Sequence, residues 1–244
     1  MSRLRIAEIF TSIQGEGIWA GVPSTFVRVS GCNLRCVWCD TPYASWAPEG
    51  PILEVDDIVD KVIALSTDHV VVTGGEPMLF EPIAALTRAL KARGRTITIE
   101  TAGTVFRDVA CDLMSISPKL RNSAPVDGHH ADASVGPLAV EWIARHDAER
   151  LNPSVLRKLI QSYPFQLKFV VDPDEHLDDL SEIAELLDAL EYDIPRDRIL
   201  LMPEGIDTET LHRRLRLLAP VCIEHGYRLS PRLHVDLYGN TRGT

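Results

Sequence analysis

Short apolar runs alternate with amphipathic stretches along nearly the whole chain. The runs RIAEIF (5–10), TFVRVS (25–30), HVVVT (69–73), TITIET (96–101), LMSIS (113–117), QLKFVV (166–171), RILLMP (198–203) and YRLSPRLHV (227–235) each read as a strand. Between them, apolar residues recur at helical spacing over 54–66, 81–93, 153–162, 175–190 and 207–225. In the last of these, Thr208, Leu211, Leu215 and Leu218 carry the period. Pro195 and Pro220 are expected near element ends, where a missing N–H costs least. Strands alternating with helices predict a parallel sheet with crossover connections. Residues 120–150 begin polar and turn-rich and become weakly helical, which reads as an insertion within one domain spanning 1–244.

Nearly every expected strand runs into a polar or glycine-bearing turn: GCNLRC, TGGEP, ETAGT, SPK, DPD and MPEG. In a barrel-like parallel sheet the C-terminal strand ends share one rim, and sites are built there. Ordinary turn chemistry accounts for DPD but not for Glu76, Glu100 and Lys119 recurring at the same end. Charge narrows the partners. With 35 acidic against 25 basic residues the net charge is −10, so no direct nucleic-acid binding is expected. No apolar run approaches the roughly 18 residues of a membrane span, and the opening MSRLRIAEIF lacks an apolar signal core. Five cysteines without such a signal fit a reducing compartment, and a cytoplasmic location is expected.

Three of those five cysteines, Cys32, Cys36 and Cys39, fall within eight positions, while Cys111 and Cys222 stand apart. The group is too crowded for a disulfide framework and one thiolate short of a closed four-cysteine site. Three thiolates can hold three irons of a [4Fe–4S] cluster and leave the fourth open for chemistry, with Trp38 shielding the site. A zinc knuckle completed by a histidine is the alternative. The adjacent His129 and His130 read as solvated residues of a flexible segment.

The CxxxCxxC spacing with Trp38 before the last cysteine resembles the signature of the radical S-adenosylmethionine (SAM) superfamily, and TGGEP (73–77) after a strand strengthens the likeness. That resemblance implies a cluster whose open iron chelates SAM and cleaves it to a 5′-deoxyadenosyl radical. A narrower likeness covers almost the whole chain. FTSIQGEGIWAGVPSTFVRVSGCNLRCVWCDTPYA (10–44), TGGEP, ETAGT, SPK, KFVV, MPEG and SPRLHVDLYGNTRG, in that order, resemble the 7-carboxy-7-deazaguanine synthase family. It implies an α/β fold, an incomplete, modified (β/α) barrel of the radical SAM type. It also implies a homodimer that uses a [4Fe–4S] cluster, SAM, Mg²⁺ and a flavodoxin- or ferredoxin-type electron donor. The implied reaction converts a small pterin, 6-carboxy-5,6,7,8-tetrahydropterin, to 7-carboxy-7-deazaguanine with loss of ammonia, toward queuosine and related 7-deazapurines.

Residue types suit such a substrate. Arg28 offers a planar fork for its carboxylate, with a structural salt bridge as the alternative. Ile13, Gln14, Gly15 and Glu16 of SIQGEG offer donors and acceptors for a pyrimidinone edge, and Thr73 adds a hydrogen bond. The glycines of TGGEP let backbone approach a ligand, and Glu76 suits the methionine ammonium. By resemblance, Gly74, Gly75 and Glu76, the triad Ser117-Pro118-Lys119, and the turn Met202-Pro203-Glu204 contact SAM. By resemblance, too, Thr41 is a protein ligand to Mg²⁺ and His234, expected near the end of the last strand, contacts substrate. Glu100 is expected to support its loop, Asp40 to act as a turn residue, and Thr244 is left open. A glycyl-radical activase and an electron-transfer iron–sulfur module are the rival readings.

Overall fold

Apolar alternation along the chain produces one large sheet. The computed structural model describes residues 2–174 and 178–244; the first residues of the helix expected from 175 lie outside the described residues. In chain order the elements are β1 (Arg3–Ile13), β2 (Pro23–Val29), β3 (Ile52–Glu54), α1 (Val55–Ile63), β4 (His69–Gly74), α2 (Ile83–Ala92), β5 (Thr96–Thr101) and β6 (Leu113–Ile116). They continue with α3 (Val140–Glu149), α4 (Pro153–Ser162), β7 (Phe165–Val171), α5 (Asp179–Ala189), β8 (Ile199–Pro203), α6 (Thr208–His225), β9 (Arg228–Leu229) and α7 (Leu233–Tyr238).

Among the described residues, nine strands form a single sheet in the order β3-β1-β2-β4-β5-β6-β7-β8-β9. From β2 to β9 every neighbour pair is parallel. Its two ends do not meet, so the barrel is incomplete. Two features depart from the sequence expectation. β1 runs antiparallel to both β2 and the unforeseen β3; the connection over 14–22 turns the chain straight back into β2. The expected strand over 227–235 is paired only at Arg228–Leu229, and Leu233–Tyr238 is helical; Pro231 has no N–H to extend the ladder.

Local signals explain the helices. In α1 the buried residues Val55, Ile58, Val59 and Val62 make one stripe, and Asp56 and Asp57 sit in the first turn, where the helix dipole favours them. The Asn152 side chain caps α4 by accepting from Val155 N, with Pro153 next in line. α6 opens with Asp207 accepting from Thr210 N at 2.9 Å and closes on Gly226, whose φ of 70° is the left-handed cap conformation. Pro220 lies inside that helix rather than at its end. No helix among the described residues is long and apolar enough to cross a membrane.

Candidate active site

The period of two along the strands builds the site. Leu167, Phe169 and Val171 of β7 enter the core, while Lys168 and Val170 line a cavity on the opposite face. The same split sends Val27 and Val29 inward and Phe26 and Arg28 to the cavity, and sets Ile99 against Glu100. Thr73, Ser115 and Met202 come to the cavity from β4, β6 and β8. Strand register then groups them: Arg28 pairs with Thr73, and Glu100 with Ser115.

One wall of this cavity is the cysteine loop. Cys32, Cys36 and Cys39 all line it, whereas Cys111 and Cys222 lie elsewhere. Leu34 N donates to Cys32 Sγ at 3.3 Å, and Ser45 Oγ lies 3.1 Å from Cys39 Sγ. Burial pushes the Cys32 thiol up to about 12, and burial followed by neighbouring negative groups raises Cys36 and Cys39 as well. Bare thiolates are therefore disfavoured, and this donor set fits ligands whose charge is balanced by bound iron. Segment 120–150 packs over the loop: Val37 N donates to Ser123 O at 2.9 Å, Ala131 N to Val37 O at 2.8 Å, and Trp38 Nε1 to Asn122 O at 3.0 Å. The Arg35 guanidinium stacks 3.7 Å from the Trp142 ring of α3. His129 is exposed as expected, but His130 is buried. It donates from Nε2 to Cys39 O at 2.8 Å, and its Nδ1 accepts from Asp132 N at 2.9 Å. Both ring nitrogens are spent on backbone, which argues against the zinc alternative through this histidine.

Opposite the cysteines stands the hydrogen-bonding set. Ile13, Gln14, Gly15, Glu16, Arg28, Thr73 and His234 all line the cavity. A register shift between Ile6 and Glu8 brings Glu8 opposite Arg28, and Arg28 Nε donates to Glu8 Oε1 at 2.8 Å. Burial works against the guanidinium, but Tyr43, Glu8 and Asp40 hold it protonated. The salt bridge expected as an alternative thus exists, on the Nε side of a residue that lines the cavity. Glu100 accepts from Gln14 Nε2 at 3.1 Å and from Thr73 Oγ1 at 2.8 Å, so it supports both residues and also lines the cavity. His234 sits in the first turn of α7, not on a strand; it packs so tightly that a Cβ on Gly15 would lie 1.9 Å from its Nδ1. Burial lowers its pKa.

Of the residues assigned to SAM by resemblance, Gly74, Gly75, Ser117, Lys119, Met202 and Glu204 line the cavity, while Pro118, Pro203 and Glu76 do not. Glu76 is fully buried and accepts from Met78 N at 3.0 Å, Thr101 Oγ1 at 2.8 Å and Ala102 N at 2.7 Å. Its Oε1 takes two protein donors and its Oε2 one, so the carboxylate braces the loop and does not line the cavity, with one lone pair left on Oε2. The double glycine serves backbone packing as well. A Cβ on Gly74 would lie 2.1 Å from Val29 O, and one on Gly75 would lie 2.3 Å from Gly31 O. Thr41 lines the cavity at the start of a short 3-10 turn without capping it through its side chain. Thr244 also lines the cavity.

Residues outside the sequence assignments complete the site. Lys168 and Arg232 lie within the quoted KFVV and SPRLHV motifs but carried no assigned role. Both line the cavity and bind Glu16, and Arg232 also binds Asp40, which is therefore more than a turn residue. Phe10 and Phe26, a cross-strand pair, stack with ring centroids 5.0 Å apart and give the cavity a flat apolar surface. Their sequence signal is the alternation itself: each is two residues from Glu8 or Arg28 and shares its face.

Comparison with known proteins places the chain in a family. The family model described as the radical SAM superfamily matches residues 26–187. A 7-carboxy-7-deazaguanine synthase from Halobacterium salinarum is 45% identical over 244 residues, covering 99% of this chain and 93% of that protein. One from Rhodopirellula baltica is also 45% identical, covering 100% and 90%. The crystal structure of QueE from Escherichia coli superposes with a TM-score of 0.63 at 26% identity, covering 95% of each chain.

Proposed function

We propose that this chain, which belongs to the 7-carboxy-7-deazaguanine synthase family of the radical SAM superfamily, converts 6-carboxy-5,6,7,8-tetrahydropterin to 7-carboxy-7-deazaguanine. The reaction is a ring contraction with loss of ammonia, feeding queuosine and related 7-deazapurines. The observation that carries this reading is the convergence of three cysteines, an arginine fork and the Gln14–Glu16 edge on one cavity.

A [4Fe–4S] cluster and SAM, when bound, would supply the radical chemistry that removes hydrogen from the carbon bearing the substrate carboxylate. Cys32, Cys36 and Cys39 would hold the cluster. Ser117, Lys119, Met202, Glu204 and the backbone at Gly74 and Gly75 would hold SAM. Arg28, steadied at Nε by Glu8, clamps the carboxylate; Phe10 and Phe26 offer a stacking surface to the flat ring. Gln14 and Glu16 meet the pyrimidinone edge, joined by Thr73 and His234. Thr41 keeps its hydroxyl off the helix cap, which suits one protein ligand to Mg²⁺ beside substrate oxygens and water. Positioning is the protein's main contribution, because the radical needs near-contact geometry. The working assembly is a homodimer in the cytoplasm, reduced by a flavodoxin- or ferredoxin-type donor.

The test is anaerobic reconstitution followed by incubation with the carboxypterin, SAM, Mg²⁺ and a reductant. Deazaguanine absorbance and mass should appear with the parent and vanish with Cys36→Ala, and Thr41→Ala should lose the Mg²⁺ response. Release of 5′-deoxyadenosine without ring-contracted product, or radical transfer to a partner protein, would overturn the reading.

A further inference from the structure

Two cations from distant parts of the chain grip Glu16. Its Oε2 accepts from Lys168 Nζ on β7, and its Oε1 from Arg232 Nε at 3.1 Å. Lys168 and Arg232 are themselves buried. Arg232 gives its remaining nitrogens to Gly205 O, at 2.6 Å, and to the Asp40 carboxylate. The main chain around Glu16 is fixed too. Glu16 N donates to Gln14 Oε1 at 3.1 Å, Leu233 N to Gly15 O at 2.9 Å, and Gly17 N to Ser230 Oγ at 2.9 Å. A carboxylate held at both oxygens cannot turn, and each oxygen keeps a lone pair for a ligand in the cavity it lines.

We propose that Lys168 and Arg232 are positioning residues that make Glu16 a rigid pair of acceptors for the 2-amino and N3–H donors of a 2-amino-4-oxo heterocycle, and that this clasp selects the substrate's ring system. The proposal rests on the reading that Glu16 faces the substrate. Arg28 recognises a carboxylate, which many ring systems carry; the clasp distinguishes the rings themselves. A 2-oxo analogue turns an acceptor toward an acceptor and leaves one carboxylate oxygen without a ligand donor. The charged and titratable groups facing Glu16 are Lys168 from β7, Arg232 and His234 from the final segment, and Asp40 from the cysteine loop, while Glu100 of β5 faces Lys168. Burial alone would favour the protonated acid, and Lys168 leads the groups that keep the carboxylate charged.

The test is equilibrium binding of 6-carboxypterin and of 6-carboxylumazine, its 2-oxo counterpart, to the reconstituted holoprotein with SAM. The parent should prefer the carboxypterin by about 100-fold or more. Lys168→Gln, which keeps a donor but not the charge, should cut that preference by about tenfold or more with lumazine affinity retained, and Lys168→Arg should restore most of it. Cluster iron content reports the fold. If Lys168→Gln does not fold, the charge-neutral double variant with Glu16→Gln leaves no lone carboxylate and should bind both pteridines alike. An unchanged preference in Lys168→Gln, with preference lost in Glu16→Gln, overturns the clasp and leaves Glu16 at the substrate. An unchanged preference in Glu16→Gln removes Glu16 from the substrate and takes the underlying reading with it.

Discussion

Two loops of this protein carry a glutamate beside glycines, and they use it in opposite ways. In TGGEP, Glu76 is fully buried off the cavity and accepts from three neutral protein donors. In SIQGEG, Glu16 lines the cavity and is gripped by Lys168 and Arg232. Burial raises the Glu76 pKa, and its hydrogen bonds offset that only in part. Burial also acts on Glu16, but Lys168, Arg232 and His234 outweigh it and hold its carboxyl well below the usual range. The state of each glutamate is set by its surroundings: neutral donors hold Glu76 as a brace for the backbone, and cations keep Glu16 a charged acceptor at the cavity wall.

The largest expected effect separates the two at the level of stability. Glu76→Ala strips partners from the Met78 and Ala102 amides and the Thr101 hydroxyl and leaves a void at a site with no solvent. Unfolding free energy should fall by about 3–5 kcal/mol. Glu16→Gln keeps the shape and one acceptor oxygen, and Asp40 and Glu100 remain as counter-charges for the two cations, so it should lose less stability and far more substrate affinity. Denaturant titrations of both variants, beside carboxypterin binding, decide the point. Equal losses of stability would erase the distinction.

How much of this was legible from sequence differs between the loops. Both glycine motifs, the cysteine loop and most strands are local patterns and could be read directly. The fate of each glutamate could not, because its partners are distant: Thr101 lies 25 residues from Glu76, and Lys168 lies 152 from Glu16. Lys168 sits in QLKFVV, where alternation aims it at the cavity, yet nothing local says which carboxylate it meets. The antiparallel β1 and the helix at Leu233–Tyr238 were hidden for a similar reason. Pairing direction and the end of a ladder depend on how the whole sheet closes, which tertiary context decides over propensity.

The glycines give the next test, smaller in size. At Gly75 an added Cβ meets the backbone oxygens of Gly31 and Ala44, at 2.3 and 2.6 Å, and these belong to or flank the cysteine loop. Backbone there is tied down, since Glu76 N donates to Gly31 O at 2.9 Å and Gly31 N to Ala44 O at 2.8 Å. At Gly15 an added Cβ meets the His234 ring Nδ1 at 1.9 Å and, at 2.8 Å each, its Cγ and its backbone N, so only part of the obstacle is side chain. Gly75→Ala, which meets backbone alone, should therefore cost about 3 kcal/mol and lower cluster content, and Gly15→Ala about 2 kcal/mol, within the usual span for overpacking. Iron counts after reconstitution, with melting curves, check both. A Gly75→Ala variant with full iron content and parent stability would mean that the loop yields more easily than its hydrogen bonds indicate.

The smallest effect, and the most discriminating, is in the sign of a pH dependence. Glu76 has a folded pKa above its unfolded value near 4.5, so between the two the folded state holds more protons. Its contribution to stability is complete below the unfolded value and declines as pH rises toward the folded one. Glu16 has its folded pKa below 4.5, so its contribution is complete above that value and declines as pH falls. Each unit of separation carries about 1.4 kcal/mol. Unfolding free energies of the cluster-free parent, Glu76→Gln and Glu16→Gln, measured anaerobically from pH 7 down to pH 4, should thus diverge in slope. The penalty of Glu76→Gln should grow on acidification, and that of Glu16→Gln should hold steady until the lower end of the range and then shrink. Parallel slopes would mean that the two carboxylates sit in electrostatically similar surroundings, and the contrast between a neutral cage and a cationic one would fail.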